Sequence, residues 1–89
     1  MQNPQMKIEI GQFYRTRAAS WTGVCQIISI EQYPYEEIRA QTVWTMYDYE
    51  SDEPIRNMIT PDQCILRKFI IANATNPEIK EFLIRTRLV

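Results

Sequence analysis

The chain has 89 residues, ten Lys+Arg against eleven Asp+Glu, and no histidine. Apolar residues make up 45% and charged ones 24%, the balance of one globular domain and not of a disordered or fibrous chain. A net charge of −1 argues against a surface held on nucleic acid by bulk charge, and the missing imidazole removes every triad or metal site that requires one.

Residues 1–6 are mostly polar with one proline, and residues 1–8 read as a flexible tail. Met1-Gln2-Asn3-Pro4-Gln5 carries neither the basic nor the apolar part of a secretory signal. The longest aliphatic run, Phe69-Ile70-Ile71-Ala72, is far short of the roughly 20 residues of a membrane helix, so a cytoplasmic protein without membrane contact is expected. Gly11 opens an alternating run over residues 12–17. Ser20-Trp21-Thr22-Gly23 reads as a loop, followed by a strand over residues 24–30. After Gln32-Tyr33-Pro34-Tyr35, a long strand over residues 38–47 sets Ile38, Ala40, Thr42, Trp44 and Met46 on one face. A turn over residues 48–54 leads to a fourth strand near residues 54–59. Thr60-Pro61-Asp62-Gln63 suits a short 3₁₀ turn, with Pro61 at its first inside position. A last strand covers residues 65–71. Thr75 or Asn76 then caps a helix over about residues 77–87, with Ile79, Phe82 and Leu83 forming an apolar stripe that needs a surface to dock on. Ile84 widens that stripe and suggests self-association or a partner helix.

Cys25 and Cys64 lie singly in apolar surroundings and read as two reduced, buried thiols; a disulfide between them requires neighbouring strands. Charge is uneven: net +2 over residues 1–30, −6 over 31–53 and +3 over 54–89.

Five short strands with one 3₁₀ turn before the last resemble the SH3-like small β-barrels, the group that includes Tudor and KOW domains. The features that carry the resemblance are Gly11 and Phe13 at the entry, Thr22-Gly23 closing the first loop, and Ile27 and Ile30 in the second strand. Val43, Trp44 and Tyr47 on the long strand, the acidic hairpin, and Pro61-Asp62-Gln63 before the closing strand complete it. The resemblance implies a mainly β fold: a five-stranded barrel over residues 9–71 and, over residues 72–89, a helix docked on the barrel or on a partner. Met46-Tyr47-Asp48-Tyr49-Glu50 looks like the tyrosine box of true SH3 domains, but only 39 residues follow it and both tryptophans precede it, so no peptide-binding residues are carried over.

Three constellations stand out. Asp48, Glu50, Asp52 and Glu53 form an acidic turn; without the central glycine of a calcium loop it suits the basic patch of a partner better than a metal. Trp21, Tyr33, Tyr35 and Tyr49 are loop aromatics of the kind that anchor protein interfaces, and in Tudor-like barrels such residues build cages for methylated Lys or Arg. Arg15, Arg17, Arg67 and Lys68 gather on one side if the first and last strands pair, and with Tyr14 would suit a phosphate backbone and one stacked base. A cysteine without a histidine base, and carboxylates adjacent on a strand, give no catalytic set. The expected function is a non-enzymatic protein-binding module acting as accessory subunit, adaptor or inhibitor of a larger complex, with no cofactor or metal. Its expected contact residues are Trp21, Tyr33, Tyr35, Asp48, Tyr49, Glu50, Asp52 and Glu53. The alternatives are a nucleic-acid-binding barrel and a methyl-lysine or methyl-arginine reader.

Overall fold

Alternation of side chains decides where the strands lie, because only a strand puts every second residue on one face. The computed structural model describes residues 6–48 and 50–87. It contains β1 (Phe13–Ala18), β2 (Trp21–Glu31), β3 (Glu37–Tyr47) and β4 (Pro54–Ile65), then a 3₁₀ turn (Arg67–Phe69), β5 (Ile70–Asn73) and the helix α1 (Asn76–Arg87). The strands form one antiparallel sheet in the order β4-β3-β2-β1-β5.

The sheet is curled. Its two edge strands are consecutive in sequence, joined only by Leu66 and the 3₁₀ turn. In a flat sheet they would lie about 19 Å apart, four strand spacings of ~4.8 Å. The link from Ile65 to Ile70, with its compact turn, reaches roughly 14 Å. The edges are therefore drawn towards each other, and one core collects residues from all five strands: Tyr14, Cys25, Ile27, Ile38, Ala40, Trp44, Ile65 and Ile70. The expected closed barrel is nevertheless corrected to an open sheet, since β4 pairs with β3 alone and β5 with β1 alone. β5 offers only four residues, and Pro61 removes a donor from the edge that would face it.

Gly23, expected in a loop, lies within β2, which begins at Trp21 after a turn at Ala19 and Ser20. Its place is fixed by crowding: a Cβ there would collide with the backbone oxygen of Val43 and press on Thr16 and Trp44. The 3₁₀ turn expected at residues 60–63 is also corrected. β4 continues through this stretch with a register shift that sets Pro61 and Asp62 together opposite Gln41, and the turn forms at Arg67–Phe69 instead, dividing the expected last strand. Pro61 is tolerated because β4 is an edge. The side chains on either side of it bind β3: Arg39 Nε donates to Asp62 (2.8 Å), Trp44 Nε1 to Gln63 Oε1 (2.8 Å), and Thr60 Oγ1 to the Thr42 carbonyl (3.3 Å).

The tail is shorter than expected. Met6 and Ile8 pack against the core, and the Tyr14 hydroxyl accepts from the Glu9 N–H (2.8 Å) and donates to the Lys7 carbonyl (3.2 Å). Residues 1–5 and 88–89 lie outside the described residues.

α1 docks on the outer face of the sheet. Thr75 caps it, and the Thr75 N–H and hydroxyl both reach Glu78 (2.8 and 2.9 Å), a capping box at the first turn. Arg15 of β1 donates to the same carboxylate at 2.8 and 2.9 Å, fixing the helix start to the sheet. Burial pushes the Glu78 carboxyl up, but the Thr75 N–H and Arg15 outweigh this and hold it below its ordinary value. Phe82 is the buried residue of α1, its ring edge-on to Phe13 at 5.5 Å.

Candidate functional site

Trp21 opens β2 and sits opposite Met46 near the end of β3, so the β1–β2 and β3–β4 turns share one end of the sheet. The Tyr47 N–H donates to the Ser20 carbonyl at 3.2 Å, tying the two turns together. The acidic turn is organised by Asp48: its carboxylate accepts from the Glu50 N–H (3.0 Å), its carbonyl from the Asp52 N–H (2.9 Å), and its own N–H donates to the Glu53 carbonyl (2.9 Å). Asp52 takes a left-handed φ of 57° to complete the turn. Glu50, Asp52 and Glu53 are exposed, and none of the four acidic residues forms an ion pair among the described residues. Tyr49, expected in this surface, lies outside the described residues.

Beside this end, an apolar cavity of about 200 Å³ opens between β4 and the start of β2, lined by Ala18, Trp21, Trp44, Met58, Gln63, Cys64, Ile65 and Phe69. That volume is below the ~300 Å³ at which small-molecule pockets begin and suits a single inserted side chain. No carboxylate lines the cavity. Lys68 already places its ammonium 5.6 Å from the centre of the Phe69 ring. Trp21 is thus a wall of this cavity and not a free loop aromatic. Trp44, Met58, Cys64 and Phe69 were not among the expected contact residues; Trp44 and Met58 are directly paired across β3 and β4, a juxtaposition set by the register of the sheet and carried by no local motif.

Tyr33 and Tyr35 are elsewhere. They are exposed in the β2–β3 turn, 91% and 79% accessible. β2 is eleven residues long, so at about 3.3 Å per residue this turn lies roughly 33 Å from Trp21. The expected contact set is therefore split between two ends, and no cage forms from Trp21 with Tyr33 and Tyr35.

The basic set is not one surface either. Tyr14 is in the core at 3% exposure and cannot stack a base. Arg15 is engaged by Glu78. Arg67 holds Glu36 at 2.7 Å, a bond that lowers the Glu36 carboxyl below its ordinary value. Lys68 lies over Phe69, which leaves Arg17 exposed without an ion pair among the described residues. Arg17 lines a cleft of about 540 Å³ between α1 and the outer face of the sheet, whose other charged groups, Arg15 with Glu78 and Arg85 with Glu81, are mutually paired.

The two cysteines are free. Cys25 is buried, and burial pushes its thiol up to about 12, which leaves it unreactive. Cys64, expected to be buried, is exposed: it stands opposite Arg39, while its neighbour Ile65, opposite the buried Ile38, takes the place in the core. No group of three or more metal-ligating side chains occurs among the described residues, and no described helix is long and apolar enough to cross a membrane.

A scan against protein-family models, a search of curated proteins and a search of solved structures each returned no match.

Proposed function

We propose that the protein is a non-enzymatic protein-binding module, acting in the cytoplasm as a small accessory subunit, adaptor or inhibitor of a larger complex. The frame we assign to it is an SH3-like small barrel with an unclosed seam. The strand order β4-β3-β2-β1-β5 and the single 3₁₀ turn before β5 support that assignment. The observation that carries the binding role is the seam itself. β4 is a twelve-residue strand hydrogen-bonded on one side only, with Ile55 exposed and Met58 exposed at the rim of the aromatic cavity. Such an edge is either protected against other chains or used by one. The two free thiols suit a reducing compartment.

The test is affinity purification of the tagged full chain from its native host, with quantitative mass spectrometry. It is run beside Met58→Asp and the double variant Tyr33→Ala/Tyr35→Ala, all three shown folded by circular dichroism. A stoichiometric partner retained by the tyrosine variant and lost with Met58→Asp is the expected result. Absence of any stoichiometric partner, or loss confined to the tyrosine variant, overturns the assignment.

A further inference from the structure

We propose that the partner supplies an extended segment that adds to β4 as a sixth strand, with an apolar side chain entering the aromatic cavity and Lys or Arg residues meeting the acidic turn. This rests on the protein-binding reading above and names the chemistry of its partner.

Three observations converge on one place. First, the free edge is bounded. Pro54 and Pro61 lack N–H donors, and the ladder to β3 shifts register at Ile55 and at Pro61–Asp62, so the stretch able to pair lies within residues 55–60 and is regular over 56–60, the usual length of one strand. The other edge, β5, has four residues and is hemmed between the 3₁₀ turn and the cap of α1. Addition to β4 is thus favoured by length alone.

Second, the side chains of β4 alternate between two environments. Met58 is paired with the buried Trp44 and lines the cavity, whereas Ile59 is paired with Val43 on the outer face. An added strand shares this alternation, so every second side chain of the partner lies on the cavity side next to Met58. The cavity accepts one of them. Its walls are Trp21, Trp44, Phe69, Met58 and Ile65, without a carboxylate to favour a cation, and Lys68 already occupies one face of Phe69. The guest is therefore aliphatic or aromatic, and an alkylammonium is disfavoured.

Third, charge sets the ends. β4 starts where Asp48, Glu50, Asp52 and Glu53 cluster without ion pairs among the described residues, and Arg56 is the one cation on the adjoining edge. A basic residue at the corresponding end of the incoming strand gains from this field; an acidic one is repelled.

The probe is a displayed library of random twelve-residue peptides, panned against the immobilised full chain and followed by titration of the isotope-labelled protein with the winning peptide. Enriched sequences should alternate apolar residues and carry Lys or Arg at one end. The amide shifts should concentrate on residues 55–60 and on the Trp21 and Trp44 indoles. Glu50→Lys/Glu53→Lys should weaken binding by about tenfold, the scale expected for two rim charges turned from attractive to repulsive. It spares Asp48, which holds the turn together. Met58→Asp should abolish binding while the fold persists. No enrichment, or peptides indifferent to Glu50→Lys/Glu53→Lys, overturns the strand-addition inference. If the host partner is still captured in a Met58-dependent way, the binding-module reading survives that failure; if no partner is captured, both fall.

Discussion

The two edges of the sheet are finished in opposite ways. β5 is four residues long, buries Ile70, and passes within a few residues into the capping box of α1. β4 is twelve residues long, exposes most of its side chains, and is covered by nothing among the described residues beyond β3. A bare edge invites unplanned pairing, and the chain limits that hazard with two prolines and Arg56 and not with a covering element. The lesson is that length, burial and capping close one side of this molecule, while the other is left as a short, chemically marked strip.

Substitutions can break or sharpen that contrast. The largest effect is expected at Gly23, which serves both edges because it lets β2 and β3 approach. Gly23→Ala forces a methyl into the Val43 backbone and should cost about 3 kcal/mol or more, read by urea denaturation. Phe82→Ala should cost about 3 kcal/mol by uncovering the outer face and Phe13. Hydrogen exchange should show the loss spread through α1 and β1, with the outward amides of β4 as fast as before. Thr42→Val should raise stability by about 1 kcal/mol, since the buried Thr42 hydroxyl has no hydrogen-bond partner; partner binding at β4 should not change.

The smallest effect is electrostatic. The Glu78 carboxyl is held below its ordinary value, so its stabilisation is complete above the unfolded-state value and fades as pH falls through the lowered folded one. Denaturation near neutral pH and again at about pH 3 should therefore show α1 loosening in acid. Glu78→Gln, which keeps the capping geometry, should cost about 0.5 kcal/mol at neutral pH and flatten that dependence.

The sheet was legible wherever one face is buried throughout. Ile38, Ala40, Thr42 and Trp44 alternate on β3 and are all buried, so period two showed plainly. β4 was cut short because Pro61 reads as a turn residue, whereas an edge strand has no need of its donor. Gly23 was misplaced for a similar reason: glycine signals a turn locally, but here a packing contact with β3 demands it. The alternation of Met6, Ile8 and Ile10 was available as a sign that the tail packs, and Met6 and Ile8 do so. Of the candidate site, the acidic turn and Trp21 were visible as residue types. The cavity was not, because it joins side chains from β1, β2, β3, β4 and the 3₁₀ turn that only the curl of the sheet brings together.

The most direct test of the open-edge account is hydrogen–deuterium exchange on the protein with and without its captured partner. The account predicts new protection at alternate amides of residues 55–60 and none in the Tyr33–Pro34–Tyr35 turn. Protection in that turn, or around Arg17 in the cleft beneath α1, with residues 55–60 unchanged, would contradict it.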